Sequence, residues 1–199
     1  MLEIFKELEQ GSEQWLQLRA GIVTASEFSQ VLAKGAGKTR RTLLFKKAGE
    51  RITGDPMNTY SNEHMERGTE QEGVARDLYI AHSGNEVTEC GFMKNGNAGY
   101  SPDGLIGNDG LVEIKSRLAH IQADSLLKDA VPSENIAQIQ GGLWISQRRY
   151  LDYVSYCPGM PLFIKRVESD LDYQDKLSHA LQTFETELSG IVSQLIEKF

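Results

Sequence analysis

A four-residue turn in the middle of the chain constrains the fold most strongly. Gly107-Asn108-Asp109-Gly110 combines residues that tight β-turns favour, and short apolar runs lie directly before and after it. The pattern predicts that the strand over residues 103–106 folds back antiparallel onto a strand over residues 111–116. Because side chains alternate between the two faces of a strand, Glu113 and Lys115 then share one face.

Helical and extended patterns alternate on both sides of this hairpin. Helices are predicted near residues 13–18, 26–32, 40–53, 62–82, 121–129, 133–146 and 170–199, and further strands near 86–93, 149–157 and 162–167. This order predicts an α/β fold with a central mixed β-sheet flanked by helices. Ser26 is the expected N-cap of the second helix. At about 150 residues per domain, we expect residues 1–199 to form a single domain.

Three carboxylates are candidates for a shared site. The hairpin lets Asp103 approach Glu113, and the spacing of Met65, Gly68, Ala75 and Tyr79 places Glu72 on the inward face of the helix over 62–82. Adjacent carboxylates repel each other unless a cation lies between them. Hard oxygen ligands suit Mg²⁺, and a lysine one strand step away can orient a metal-bound water.

Each part of this constellation also has a structural interpretation. Ser101-Pro102-Asp103-Gly104 is a common turn sequence, and Glu-x-Lys is a common solvent-facing pair in strands. Glu72 could instead form an internal ion pair with Arg76 or Lys115. The convergence of all three carboxylates near one hairpin favours the metal site over these alternatives.

Two glycines and two glutamines stand out in the helix predicted over 133–146. Gly141 and Gly142 each cost about 1 kcal/mol relative to alanine in a helix, so they predict close backbone packing against the sheet. Gln138 and Gln140 lie next to this contact. Either amide could be a simple buried polar group, and sequence chemistry does not choose between them.

Charge is distributed unevenly along the chain. The net charge is −7, yet residues 34–51 carry seven basic residues and one acidic residue. Such a patch can bind a polyanion locally, while a solvated helix face is the alternative. Two cysteines and four scattered histidines lack the spacing of a zinc or iron–sulfur site. With no long apolar run and no leader pattern, the expected location is the cytoplasm, away from membranes.

Five motifs carry a resemblance to a known family. Asp103 followed by Glu113-Ile114-Lys115 resembles the Asp…Glu-x-Lys core of the restriction-endonuclease-like nuclease superfamily. The flanking motifs resemble those of the lambda-exonuclease-type viral recombinase family. They are Trp15-x-x-Leu18-Arg19-x-Gly21-x-x-Thr24-Ala25-Ser26, Arg67-Gly68…Glu72…Ala75-Arg76, Ser101-Pro102-Asp103-Gly104, and Ala137-Gln138-Ile139-Gln140 followed by Trp144.

The resemblance implies a role for each matching residue. Asp103, Glu113 and the backbone carbonyl of Ile114 would bind Mg²⁺, for which Mn²⁺ would substitute, and Glu72 would assist through water or a second ion. Lys115 would lie beside the attacking water, and Gln138 would help to orient both. Arg19 would contact a terminal 5′-phosphate, with Thr24 and Ser26 nearby. Helix N-termini favour phosphate on independent physical grounds.

The resemblance also implies an activity and partners. Similar enzymes are Mg²⁺-dependent exonucleases that degrade one strand of linear double-stranded DNA from 5′ to 3′, release 5′-mononucleotides and leave a 3′ single strand. They form ring-shaped homotrimers and act with a single-strand annealing protein in recombination. The alternatives are a DNA endonuclease of the same superfamily and a noncatalytic module that binds DNA ends. This chain is somewhat short for the family, so loops that build the channel could differ.

Overall fold

The computed structural model describes residues 1–33, 37–57 and 63–198, and only the backbone of residues 63–69. Its strands are β1 (Leu2–Phe5), β2 (Val23–Thr24), β3 (Val87–Thr88), β4 (Phe92–Asn95), β5 (Ala98–Tyr100), β6 (Gly104–Ile106), β7 (Gly110–Ser116), β8 (Tyr150–Tyr156) and β9 (Phe163–Glu168). Its helices are α1 (Glu13–Arg19), α2 (Phe28–Val31), α3 (Lys38–Thr53), α4 (Glu63–Ser83), α5 (Ala119–Lys128), α6 (Ser133–Ser146) and α7 (Leu171–Lys198).

A mixed five-stranded sheet with the order β3-β6-β7-β8-β9 forms the centre. The predicted hairpin is confirmed, because β6 pairs antiparallel with β7 and Gly104 lies opposite Val112. Strand β8 runs parallel to β7, with Glu113 opposite Tyr153. Since α4 packs on one face of this sheet and α6 on the other, the predicted α/β class with a mixed sheet and flanking helices is confirmed.

A second sheet of four strands, with the order β1-β4-β5-β2, was not predicted. The single strand expected over 86–93 is wrong: β3 joins the five-stranded sheet, whereas β4 pairs with β1 at the N-terminus. The break comes at Gly91, whose N–H donates to the carbonyl of Lys6 at 3.3 Å. A Cβ at Gly91 would lie 1.8 Å from the Leu8 carbonyl oxygen. A local pattern cannot show such a close approach of a distant segment.

Long apolar stripes on the helices form the main core. On α7, Leu177, Leu181, Phe184 and Leu188 are buried, as expected for a helix that packs on its own fold. The two glycines of α6 permit the predicted close packing. A Cβ at Gly141 would lie 2.1 Å from the Phe28 ring, and one at Gly142 would lie 2.8 Å from the Tyr100 ring.

The N-cap predicted at Ser26 is wrong. Strand β2 ends at Thr24, which caps a short 3₁₀ turn, Ala25–Glu27, that precedes α2. Glu27 Oε2 accepts the Thr24 N–H at 3.0 Å and its hydroxyl at 3.1 Å. The N-cap therefore lies two residues before Ser26, because the glutamate three residues after Thr24 completes a capping box.

Some predictions concern residues outside the described part of the chain. These are Lys34 of the basic segment, the loops expected near 34–39 and 55–60 in part, residue 62 at the start of the fourth helix, and the side chains of Met65, Arg67 and Gly68. Among the helices of the described residues, none combines the length and apolar character that a membrane span requires.

Candidate active site

Glu113 lies at the centre of a polar cluster on the α6 side of the sheet. It is only 1% exposed. Its Oε1 accepts hydrogen bonds from Lys115 Nζ at 2.6 Å and from Gln138 Nε2 at 2.5 Å, and its Oε2 accepts one from the Tyr100 hydroxyl at 2.8 Å. Strand alternation brings Lys115 to this face, while α6 and β5 supply the other two donors.

Asp103 lies beside Glu113 at the end of the hairpin. Its Oδ2 accepts the Ile114 N–H at 2.6 Å, so the backbone of β7 holds the carboxylate in place. Burial raises the pKa of Asp103 well above its usual value, and the charges of Glu113 and Glu72 raise it further. Lys115 and the Ile114 N–H oppose this shift without cancelling it. The charges of the neighbouring carboxylates thus disfavour the ionised form of Asp103.

Lys115 remains positively charged inside this cluster. Burial by itself would lower the pKa of its ammonium group, but the charges of Glu113 and Asp103 together outweigh burial and leave the pKa raised. A protonated lysine can donate to an anionic group or to a water, so it serves as a fixed positive charge at the site.

Glu72 approaches the cluster from the opposite layer. Helix α4 packs on the face of the sheet that carries Val112 and Ile114, and it holds Glu72 against Arg76 at 2.5 Å. Arg76 also contacts Glu89 at 2.5 Å. The ion pair considered as a structural alternative is therefore present. Burial nevertheless raises the pKa of Glu72, and the charge of Glu113 adds to this shift although Arg76 opposes it.

A cleft of about 840 Å³ gives solvent access to the carboxylates. Asp103 and Glu72 line it together with the N-terminal segment 6–11 and Trp15. Gln10 fixes one wall, because its Nε2 donates to the carbonyl of Pro102 at 3.0 Å. Asp103 is therefore one of the residues that face this cleft.

Within the described residues, no group of three His, Cys, Asp or Glu side chains could by itself hold a metal ion. The donors present nevertheless suit a hard divalent cation that keeps several waters. Asp103 and Glu113 contribute carboxylate oxygens, and their mutual repulsion is the kind that a cation relieves. Tyr100, Gln138 and Lys115 all donate hydrogen bonds to Glu113 and so fix the orientation of its carboxylate.

Arg19 lies next to Trp15, one of the residues that line the cleft. Its guanidinium stacks on the Trp15 ring at 3.6 Å. Trp15 Nε1 in turn donates to Ser101 Oγ at 2.8 Å, which connects Arg19 to the loop that carries Asp103. Burial lowers the pKa of Arg19 to about 10, although Glu27 and Glu50 oppose the shift. The side chain therefore keeps its positive charge at neutral pH.

Thr24 and Ser26 are placed less favourably for binding an anion than expected. Ser26 is exposed and lies inside the 3₁₀ turn, with its Oγ 3.1 Å from Thr24 Oγ1. Thr24 is buried and its hydroxyl donates to Glu27. Because α2 has only four residues, its helix dipole is small.

The structure distinguishes the two glutamines of α6. Gln140 fixes the β9–α7 junction, since its amide contacts the Glu168 carbonyl and the Asp170 N–H. Gln138 instead donates to Glu113. The sequence analysis missed Tyr100, because a tyrosine in a strand is typical of a core residue. No sequence signal marks it as a donor to Glu113.

Comparison with known proteins shows the family and the fold. The family model of the YqaJ-like viral recombinase domain matches residues 14–149. Two crystal structures of an alkaline exonuclease, LHK-Exo, from Laribacter hongkongensis are similar, one of them in complex with dAMP. Each has a TM-score of 0.87 and 32% identity, covering 94% of this chain and 97% of that one.

A more distant match shares the fold alone. The crystal structure of a phage-related exonuclease from Haemophilus somnus 129PT has a TM-score of 0.68 at 13% identity, covering 90% of this chain and 99% of that one. No curated protein sequence matches the chain significantly.

Proposed function

Because the chain belongs to the YqaJ-like viral recombinase domain family, we propose that it is a metal-dependent exonuclease acting on double-stranded DNA. The convergence of Asp103, Glu113, Lys115 and Gln138 beside an open cleft carries this proposal. The name of the alkaline exonuclease, which is 32% identical, supports it, and the dAMP in one structure of that protein is consistent with a nucleotide product. We further propose that residues 1–199 form one nuclease domain.

Asp103, Glu113 and the Ile114 carbonyl are the residues that would hold Mg²⁺ or Mn²⁺, with Glu72 assisting. When bound, the ion supplies a more acidic water and stabilises charge on the scissile phosphate. The protein's own contribution is positioning. Lys115 Nζ would donate hydrogen bonds to the water and to the developing negative charge. Gln138 holds Glu113 in a single orientation.

Arg19 is the proposed ligand of a terminal 5′-phosphate. Its guanidinium lies over the Trp15 ring, with Cζ 3.6 Å from the ring centroid, and its N–H donors suit a phosphate. Thr24 and Ser26 would contribute to the same pocket. Of the basic residues of the segment 34–51, the exposed Lys38 and Arg41 would bind backbone phosphates of the duplex. These contacts support degradation from 5′ to 3′ with release of 5′-mononucleotides and a remaining 3′ single strand.

The proposal extends to partners that the family resemblance implies. A homotrimeric ring would enclose the duplex, and a single-strand annealing protein would receive the 3′ strand. Analytical ultracentrifugation of the protein alone tests the ring, since a monomer at micromolar concentration would contradict it.

End-labelled linear duplex incubated with Mg²⁺ tests the central activity. We expect mononucleotides from linear, 5′-phosphorylated DNA and no cleavage of a covalently closed circle. Cleavage of the circle would favour the endonuclease alternative. DNA binding without any Mg²⁺-dependent product would favour the noncatalytic module.

A substitution at Arg19 tests the 5′-end assignment separately. Arg19→Ala should slow degradation of 5′-phosphorylated ends more than that of 5′-hydroxyl ends, because it removes a charged ligand of the phosphate. Equal effects on the two kinds of end would contradict the assignment and leave the nuclease activity itself untouched.

A further inference from the structure

Four charged side chains form a network behind the segment that joins Arg19 to Ser26. Lys47 Nζ lies 3.2 Å from Glu27 Oε2 and 3.1 Å from Glu50 Oε2. Lys46 Nζ lies 3.3 Å from Glu27 Oε1 and 3.9 Å from Glu50 Oε1. The side chains of Lys47 and Glu50 are each only 4% exposed. Two lysines and two glutamates therefore balance each other inside the protein.

The glutamates of this network hold the backbone of the Arg19 segment at two points. Glu50 Oε2 accepts the Gly21 N–H at 2.9 Å, and Glu27 Oε2 accepts the Thr24 N–H at 3.0 Å. Gly21 has a φ of +72°, a left-handed conformation that residues other than glycine rarely adopt. The segment is thus fixed from α3 and from the 3₁₀ turn.

Arg19 is close enough to both glutamates to experience their charge, yet it pairs with neither. Glu27 and Glu50 each raise its pKa, but in the described residues no ion pair or hydrogen bond joins Arg19 to a carboxylate. The lysines occupy the carboxylate oxygens instead. Glu50 and Glu27 accept the backbone N–H groups of Gly21 and Thr24, in the segment that follows Arg19. An unpaired carboxylate there would be expected to pair with the guanidinium, since bidentate pairing is the strong interaction of arginine.

We propose that Lys47 keeps Arg19 available to the DNA end by neutralising Glu27 and Glu50, which makes Lys47 and Glu50 positioning residues for recognition of the 5′-phosphate. This inference rests on the proposed function, in which Arg19 is the phosphate ligand. Lys47 itself is too buried to contact DNA, so its effect acts through Arg19.

Removal and restoration of charge balance within the network test the proposal. We measure kcat/KM on otherwise identical duplexes with 5′-phosphoryl and 5′-hydroxyl ends. Lys47→Met keeps the apolar stem and removes the charge, so Glu50 and Glu27 should capture Arg19. The preference for the 5′-phosphate should fall about tenfold, while the rate on 5′-hydroxyl ends stays within about twofold.

Two further variants distinguish this effect from a loss of packing. Lys47→Arg keeps the positive charge and should retain most of the preference. The double variant Lys47→Met with Glu50→Gln removes the positive charge of Lys47 together with the negative charge of Glu50. It should therefore recover most of the preference lost in the single variant. Asp152→Asn, a buried carboxylate away from this network, should leave the preference unchanged.

Folding is checked by thermal unfolding of each variant. If Lys47→Met does not fold, Lys46→Met replaces it, because Lys46 contacts the same glutamates but is 26% exposed, and a smaller fall in the preference is expected. A folded variant with the wild-type preference, or one that slows both kinds of end equally, would overturn the proposal. So would a double variant that recovers nothing.

Equilibrium binding separates failure of this inference from failure of the proposed function. We expect Glu113→Gln to bind duplex with little turnover, so the affinity ratio between 5′-phosphoryl and 5′-hydroxyl ends can be measured in that background, with and without Lys47→Met. A ratio that falls with Lys47→Met supports the inference even if no exonuclease activity is found. A ratio that does not change refutes it even if the wild type is an active exonuclease.

Discussion

Neighbouring strands of the central sheet each bury a carboxylate, on opposite faces. Glu113 of β7 is 1% exposed and Asp152 of β8 is 3% exposed. Asp152 accepts two hydrogen bonds from Arg166, at 2.8 Å each, and one from the Tyr79 hydroxyl at 2.7 Å. Glu113 likewise accepts from one cation, Lys115, and from one tyrosine, Tyr100. Judged by these partners alone, the two carboxylates are nearly equivalent.

Their surroundings differ in charge and in access. The contacts of Asp152 form a compact ion pair, with Arg166 stacked on the Tyr150 ring at 3.8 Å. The charge of Glu113 instead raises the pKa of both Asp103 and Glu72. These two residues line an open cleft. A buried carboxylate therefore does not mark a functional site. An excess of negative charge next to solvent is the better indicator of such a site, because the carboxylates there repel each other and a bound cation can relieve that repulsion.

The largest expected difference between the two carboxylates is catalytic. Glu113→Gln should reduce nuclease activity by about a thousandfold, because it removes a charge at the reacting centre. Asp152→Asn should leave kcat within about twofold, since it alters only a structural ion pair on the other face. Rates on linear duplex with Mg²⁺ measure both. Comparable losses in the two folded variants would show that the sheet, and not the cluster, supports activity.

A second difference concerns stability. Asp152→Asn breaks a pair whose carboxylate is buried but whose arginine is about half exposed, so we expect a loss of about 1–2 kcal/mol. Urea denaturation of the metal-free chains measures this loss. Glu113→Gln should cost less than Asp152→Asn, because removing one of several repelling carboxylates offsets the broken hydrogen bonds. The opposite order would contradict the picture of an overcharged cluster.

The two tyrosines form a matched pair for a smaller effect. Tyr100→Phe deprives Glu113 Oε2 of its donor and should lower kcat about fivefold, through a loss of about 1 kcal/mol in the orientation of the carboxylate. Tyr79→Phe removes the equivalent donor to Asp152 and should cost about 1 kcal/mol of stability with unchanged kcat. If both variants changed kcat alike, the comparison of the two clusters would fail.

The smallest effect is a pH dependence of the metal-free fold. Because the pKa of Asp103 is raised on folding, the folded state binds more protons than the unfolded state between about pH 4 and the raised pKa. The free energy of unfolding therefore falls as pH rises through that window. Asp103→Asn keeps an acceptor for the Ile114 N–H and removes the titration. Its Tm at pH 8 should exceed that of the wild type by about 2–4 °C.

Calorimetry at pH 4 and pH 8 in the presence of a chelator checks this expectation. The difference in Tm should become small near pH 4, where Asp103 is protonated in the folded state and about half protonated in the unfolded state. Added Mg²⁺ should raise the Tm of the wild type and have less effect on Asp103→Asn. A lower Tm for Asp103→Asn at pH 8 would show that the ionised carboxylate stabilises the fold.

Local patterns predicted the elements around the site well. The turn at 107–110 and the alternation in β7 predict the hairpin, and the hairpin brings Asp103 beside Glu113 with few alternatives. The helices predicted over 133–146 and 40–53 lie close to α6 and α3 as observed. These features depend on interactions between residues close in the chain, which the sequence displays directly.

Features that depend on distant contacts could not be predicted. The second sheet requires β1 to pair with β4, about ninety residues away, and the strand-like pattern over 86–93 conceals the break at Gly91. The N-cap at Thr24 depends on where β2 ends, and β2 exists only because it pairs with β5. Two-residue strands carry too little pattern to be recognised without their partners.

By itself the sequence determined the class of fold, the hairpin and the identity of the acidic residues, because turn chemistry and periodicity act over a few residues. Only the tertiary structure decided that Gln138 and not Gln140 contacts Glu113, that Tyr100 is a donor, and that Lys47 pairs with both Glu27 and Glu50. Those outcomes depend on which side chains distant segments bring within about 3 Å, a distance over which hydrogen bonds and ion pairs form and local patterns carry no information.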